Sequence, residues 1–178
     1  MENANRYLIV VDMQNDFVTG SLGSPEAEEI VDNVVNKIKT FEGNVIATLD
    51  THETDYLSTQ EGRLLPVEHC IRDTEGRNLV DDIAALKSEI DIREYTKPTF
   101  GSVELAKELS LSHEKSPIEK IELIGLCTDI CVVSNALLLK AFMPEVEIAV
   151  DPSCCAGVTK EKHEAALKVM ESCQIIVK

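Results

Sequence analysis

Cys131 stands in the run GLCTDICV (residues 125–132), where a polar break at Thr128 and Asp129 separates a short apolar stretch from residues spaced as a helix. A thiol in the first turn of a helix meets unpaired backbone N–H groups and the positive end of the helix dipole, and both favour thiolate over thiol. That placement predicts a nucleophilic cysteine. Asp50 and His52 form a second group. Side chains at i and i+2 of an extended backbone point to the same side, so a carboxylate oxygen and an imidazole nitrogen can meet one divalent ion. His69 follows in the same polar segment, and three such ligands leave positions for water, substrate or the carboxylate of Glu61. Lys97, in TKPTFG (96–101), offers an ammonium that can lower the pKa of a nearby thiol or pair with a carboxylate. Taken singly, each residue also fits a plain structural role: a small buried thiol, solvated loop polars and a surface lysine. Their chemistry depends on what brings them together.

The elements that would do so are strands followed by helices. YLIVV (7–11) and VIATL (45–49) are apolar runs suited to strands buried on both faces, and they end at Asp12 and Asp50. Further strands are predicted at Ile90–Glu94, from Ile121 to the break before Thr128, at Val146–Val150 and at Gln174–Val177, with Lys97–Gly101 a turn. Ser24 and Pro25 read as N-cap and first residue of a helix reaching about Phe41, with Ile30, Val34, Val35 and Ile38 on one face. Other helices are predicted at Leu79–Lys87, from Gly101 or Ser102 to about Leu111, after Thr128-Asp129, and from Thr159 to Ser172. The segment from Thr51 to Asn78 is polar and longer than an ordinary loop, which points to function. Strict alternation predicts a single α/β domain over residues 1–178, a three-layer α/β/α arrangement around a mostly parallel sheet. In such a sheet ligands bind beyond the carboxyl ends of the strands, near the point where strand order reverses. Asp12, Asp50 and the turn carrying Cys131 then share one edge.

Composition narrows the partners. The chain has 32 acidic and 17 basic residues and a formal net charge of -15, which repels nucleic acid and anionic membranes. No run approaches the twenty apolar residues of a membrane span, and the N-terminus enters a strand without a signal series, so a cytoplasmic protein is expected. The six cysteines then read as thiols. Cys127 and Cys131 lack thioredoxin-like C-x-x-C spacing, and no second cysteine pair completes a zinc ribbon.

With these elements in order, the sequence resembles the isochorismatase-like cysteine hydrolases, and among them the nicotinamidases. The motifs are VVDMQNDF (10–17), TLDTH (48–52), the PxxH turn at 66–69, the lysine before an aromatic-Gly turn, and GLCTDICV. The resemblance implies that Cys131 attacks, Asp12 acts as general base and Lys97 completes the triad. It implies a cis peptide between Leu126 and Cys127, and backbone N–H groups of Cys127 and Cys131 that hold an oxyanion. It implies a divalent ion on Asp50, His52 and His69, with Glu61 as a further ligand; zinc is the first choice, and manganese or iron also suits one acid and two imidazoles. The implied reaction releases ammonia from a small amide, nicotinamide first, in NAD salvage. The implied state is a homo-oligomer. Two motifs depart from the resemblance: Thr51 replaces a tryptophan common in nicotinamidases, and residues 56–59 replace an H-x-S-F segment. Walls for a flat ring must then come from Phe17, Phe100 or Tyr56, with Gln14 and Phe17 of the first loop as substrate contacts. Another small amide or carbamoyl compound is the alternative substrate. A non-catalytic metal-binding module and a cysteine redox sensor are the alternatives outside this chemistry.

Overall fold

The apolar runs become strands covered on both faces. In the computed structural model of the chain, which describes residues 5–178, the strands are β1 (Arg6–Val11), β2 (Asn44–Asp50), β3 (Ile92–Lys97), β4 (Lys120–Leu126), β5 (Glu147–Ala156) and β6 (Ile176–Val177). They form one sheet in the order β3-β2-β1-β4-β5-β6, and every neighbouring pair is parallel. The reading of the N-terminus rests partly on residues 1–4, which lie outside the described ones. Among the described residues no helix is long and apolar enough to cross a membrane.

Eight α-helices lie among the described residues: α1 (Asn15–Val18), α2 (Pro25–Glu29), α3 (Val31–Thr40), α4 (Gln60–Leu64), α5 (Asp81–Leu86), α6 (Val103–Lys115), α7 (Val133–Phe142) and α8 (Lys160–Ser172). Alternation along β1 divides the core. Leu8 and Val10 pack with Ala27 of α2, Val34 and Ile38 of α3 and Ile83 of α5. Ile9 and Val11 pack with Leu105 of α6, Ala136 of α7 and Met170 of α8. The three-layer α/β/α expectation therefore holds.

Helix starts follow side-chain chemistry. Ser24, Ser102 and Thr159 each accept a backbone N–H from three residues ahead, satisfying one of the free donors of a first turn. Several boundaries differ from the sequence reading. The helix expected over 25–41 breaks at Ile30, whose side chain stays in the core, leaving α2 and α3 as separate segments. Strand β3 runs later than Ile90–Glu94, because this edge strand has mixed burial and no apolar run to mark it. Lys97 is thus the last residue of a strand, in register with Asp50, and not part of a turn. Strand β5 continues through Asp151 and Pro152 to Ala156, and a register shift between Leu123 and Gly125 accommodates the proline. Helix α6 runs past Leu111 to Lys115.

Strand order reverses between β1 and β4, and both strands end near that point. Val11 and Gly125 are paired there, Gly125 has φ +112°, and a Cβ at Gly125 would lie 2.1 Å from the Val11 carbonyl oxygen. Only glycine fits, on both space and backbone grounds. Gly125→Ala is expected to destabilise the protein by roughly 2 kcal/mol or more. Urea unfolding measures this, and a loss below about 0.5 kcal/mol, the range of neutral surface changes, would contradict it.

Candidate active site

Four strand ends deliver four groups to one point. Lys97, at the end of β3, is 1 % exposed, and its Nζ lies 2.7 Å from Asp12 Oδ2, 3.5 Å from Asp50 Oδ1 and 3.6 Å from Cys131 Sγ. Asp12 follows β1, takes up a left-handed backbone conformation (φ 49°) and accepts a 2.7 Å hydrogen bond from Thr48 Oγ1 of β2. Cys131 lies in a π-helical turn, Thr128–Val132, that joins β4 to α7. The Val132 N–H donates to the Cys127 carbonyl, the five-residue step that defines such a turn. The Leu126–Cys127 peptide is cis, as the resemblance implies.

Burial sets the protonation of this group and corrects the expectation for the thiol. The helix start favours a thiolate, yet burial pushes the Cys131 thiol well above its ordinary value, the Asp12 charge adds to that, and Lys97 opposes it only in part. Burial also raises the Asp12 carboxyl, although Lys97 counteracts. Burial alone would lower Lys97, but the charges of Asp12, Cys131 and Asp50 outweigh it and hold the ammonium firmly protonated. Burial thus disfavours the charged form of both the thiol and the carboxyl beside a fixed ammonium. The carboxylate is a stronger base than a solvated one.

Asp50 connects this group to a second. Its Oδ1 faces Lys97, while its Oδ2 lies 3.1 Å from His52 Nε2 and 3.7 Å from His69 Nε2. Glu61 Oε1 lies 3.7 Å from His52 Nε2 and 3.9 Å from His69 Nε2. One ligand atom from each of the four residues falls within 4.8 Å of all the others. Ligands about 2.1 Å from one tetrahedral ion stand about 3.4 Å apart, so the donors are already at ligand spacing. His69 Nδ1 lies 2.8 Å from the Val67 carbonyl and, as its donor, leaves the Nε2 lone pair facing the other ligands. The set fits a divalent ion. Burial raises the Asp50 carboxyl, but the hydrogen bond from His52 and the charges of Lys97, His52 and His69 together hold it below the ordinary carboxylate range.

The first-loop residues part company. Phe17 lines the cleft, with its ring 5.4 Å from that of His69. Gln14 does not line it, in contrast to the expected substrate contact. Its buried amide donates to the Asp50 and Arg77 carbonyls and accepts from the Asp50 N–H, so two of these three bonds hold the backbone of one candidate ligand. Tyr56 is not a wall of the cleft either. It is fully buried behind the imidazoles, 4.7 Å from the His52 ring and 5.0 Å from the His69 ring. The cleft itself holds about 540 Å³, with Cys131, Cys127, Asp50, Glu61 and His69 among its walls and Phe17 and Phe100 as its aromatic sides.

The model of the isochorismatase domain matches residues 6–177. The chain belongs to the isochorismatase family. Among its family relatives, a nicotinamidase of Saccharomyces cerevisiae is 28 % identical over 175 residues, covering 73 % of this chain and 79 % of the relative. The crystal structure of a nicotinamidase from Bacillus subtilis superposes with a TM-score of 0.82 at 29 % identity, covering 97 % of this chain and 98 % of the other. A pyrazinamidase of Pyrococcus horikoshii in complex with zinc gives a TM-score of 0.76 at 28 % identity, covering 98 % of each chain.

Within this isochorismatase-family fold, the residues that sequence reading missed are supports. Thr48 holds Asp12, and its signal is a lone hydroxyl in an otherwise apolar buried strand. Leu126 and Ile130 line the cleft but have no chemical signature. His69→Ala and Asp50→Asn are expected to abolish bound metal in the purified protein. Gln14→Leu, which frees the Asp50 backbone and the Arg77 carbonyl but removes no ligand atom, is expected to weaken metal affinity about tenfold, the usual effect of losing a support behind a ligand. Metal titration followed by elemental analysis measures both; unchanged affinity in Asp50→Asn would exclude the site.

Proposed function

We propose that the chain is a metal-assisted cysteine amidohydrolase that converts a small aromatic amide, nicotinamide first, to its acid and ammonia. The observation that carries this reading is the division of Asp50 between two partners. One oxygen meets the Lys97 ammonium beside the nucleophile, and the other meets the imidazoles of the metal-ligand set. Cys131 and three of the four ligand residues, Asp50, Glu61 and His69, line one cleft with aromatic sides. The nicotinamidase relatives support the same substrate class.

The geometry suggests a sequence of steps. Asp12 takes the Cys131 proton as the sulfur attacks the amide carbon, and Lys97 balances the charge between them. The N–H groups of Cys127 and Cys131, in the first turn after β4, hold the tetrahedral oxyanion. Asp12 returns the proton to the leaving nitrogen, the C–N bond breaks and ammonia departs, leaving a thioester on Cys131. Water, deprotonated by Asp12, then attacks the thioester carbon; the C–S bond breaks, the acid is released and the thiol regains its proton. A divalent ion on Asp50, His52, His69 and Glu61, zinc in our reading, would supply an electrophilic contact for a ring nitrogen of the substrate. Phe17 and Phe100 would sandwich the ring in place of the missing tryptophan.

Ammonia release from nicotinamide by the metal-loaded protein is expected to fall by at least about 10³-fold in Cys131→Ala, on the scale of losing a covalent nucleophile; undiminished release in that variant would refute the reading. The acid limb of kcat/KM should follow Asp12, which must be ionised to act. Because burial raises that carboxyl, activity should be lost on acidification at a pH above the 3.8 of an ordinary aspartate. A limb at or below 3.8 would contradict the assigned base.

A further inference from the structure

The nucleophile turn is braced from outside by the start of α8. Thr128, the residue after the proposed oxyanion donor Cys127, is fully buried, and its Oγ1 lies 2.8 Å from Nδ1 of His163 in the first turn of α8. Asp129, the next residue, accepts the Val158 N–H at 2.9 Å. Between these two contacts the segments pack so closely that a Cβ on Gly157 would fall 2.8 Å from Asp129 Oδ1 and 2.9 Å from the His163 Cβ. Thr128 and Asp129 lie between Cys127 and Cys131, so both bonds act on the backbone that carries the nucleophile and the oxyanion donors. No other bond recorded among the described residues ties the Thr128 side chain.

We propose that His163 is a positioning residue for the amide hydrolysis proposed above: through Thr128 it fixes the turn on which the Cys131 thiol and the two oxyanion N–H groups are displayed. His163 touches no reacting atom. Its ring is half-buried, and burial holds it below the ordinary imidazole range against the opposing charges of Glu164 and Asp129, so a neutral ring can take the Thr128 hydroxyl proton into a hydrogen bond at Nδ1. A turn held this way presents its N–H groups to the developing oxyanion without rearranging during reaction, which is where misplacement of about 1 Å costs on the order of a hundredfold. Substrate binding would be nearly untouched, because neither Thr128 nor His163 lines the cleft.

The inference rests on the amidohydrolase reading, and its test separates the two. Asparagine places a polar atom where Nδ1 stands and can donate or accept; leucine removes it, and glutamine carries its amide one carbon farther out. In the metal-loaded protein, His163→Leu and His163→Gln should lower kcat at least about tenfold, with KM for nicotinamide and bound metal unchanged. His163→Asn should recover most of the loss. Thr128→Val should match His163→Leu, and the double variant should be no worse than either single one. The rate of Cys131 alkylation by iodoacetamide is a second readout that needs no amide substrate, and it should change severalfold in the leucine variant and not in the asparagine variant. If the unaltered protein releases no ammonia, the amidohydrolase reading fails and alkylation alone decides the positioning role. Equal kcat and alkylation rates in His163→Leu and wild type, or losses in His163→Asn and His163→Leu that match and follow only melting temperature, would overturn the proposal.

Discussion

One buried ammonium organises the site. Lys97 reaches from β3 across the end of β2 to the end of β1, and it meets Asp50 and Asp12 on the way. Two strand spacings of about 4.8 Å separate β3 from β1, a gap that a long lysine stem and a short aspartate side chain close together. A dry ammonium is costly unless its partners are fixed, and removing one member of such a buried set leaves an uncompensated charge worth several kcal/mol. The sheet order β3-β2-β1-β4 is therefore part of the chemistry. It lines up the Lys97 ammonium, the shared Asp50 carboxylate, Asp12 and, through the turn after β4, the Cys131 thiol.

Burial then decides the electrostatics. The same desolvation raises the Cys131 thiol and the Asp12 carboxyl next to a fixed positive charge on Lys97. A helix-start cysteine exposed to water would instead be a standing thiolate, open to alkylation and oxidation. In the proposed reaction the nucleophile forms as a carbonyl arrives to take up the sulfur's electrons. Cys127 is held inert by the same means. Burial, with the charges of Asp129 and Asp12, pushes its thiol up to about 12, and the contribution proposed for it is that of its backbone.

The parts of this arrangement legible in the sequence are those with a local signal. Apolar runs ending in aspartate mark β1 and β2, hydroxyl residues mark the helix starts, and an i, i+2 pair marks the Asp50 and His52 ligands. Effects set by tertiary packing are not legible. The direction of the Cys131 shift depends on how deeply the turn is buried, which the helix-start argument leaves out. Lys97 reads as a turn residue because its strand lies at the sheet edge, where exposed Arg93 and Glu94 hide the pattern. Gln14 reads as a substrate contact because a polar residue near an aspartate at a strand end looks available; only the fold shows its amide consumed by Asp50 and Arg77. His163 is invisible beforehand, since its partner lies 35 residues away and helix-start histidines are ordinary.

The central claim is that Cys131 carries the acyl group between loss of ammonia and attack by water. Its most direct measurement is acid quenching of the metal-loaded protein during turnover of nicotinamide, followed by intact-mass analysis and peptide mapping. A transient pyridine-carbonyl adduct on the peptide containing Cys131, formed and lost at rates compatible with turnover, is the predicted result. Turnover with no adduct on Cys131 when water attack is slowed, or an adduct on another residue, would contradict it.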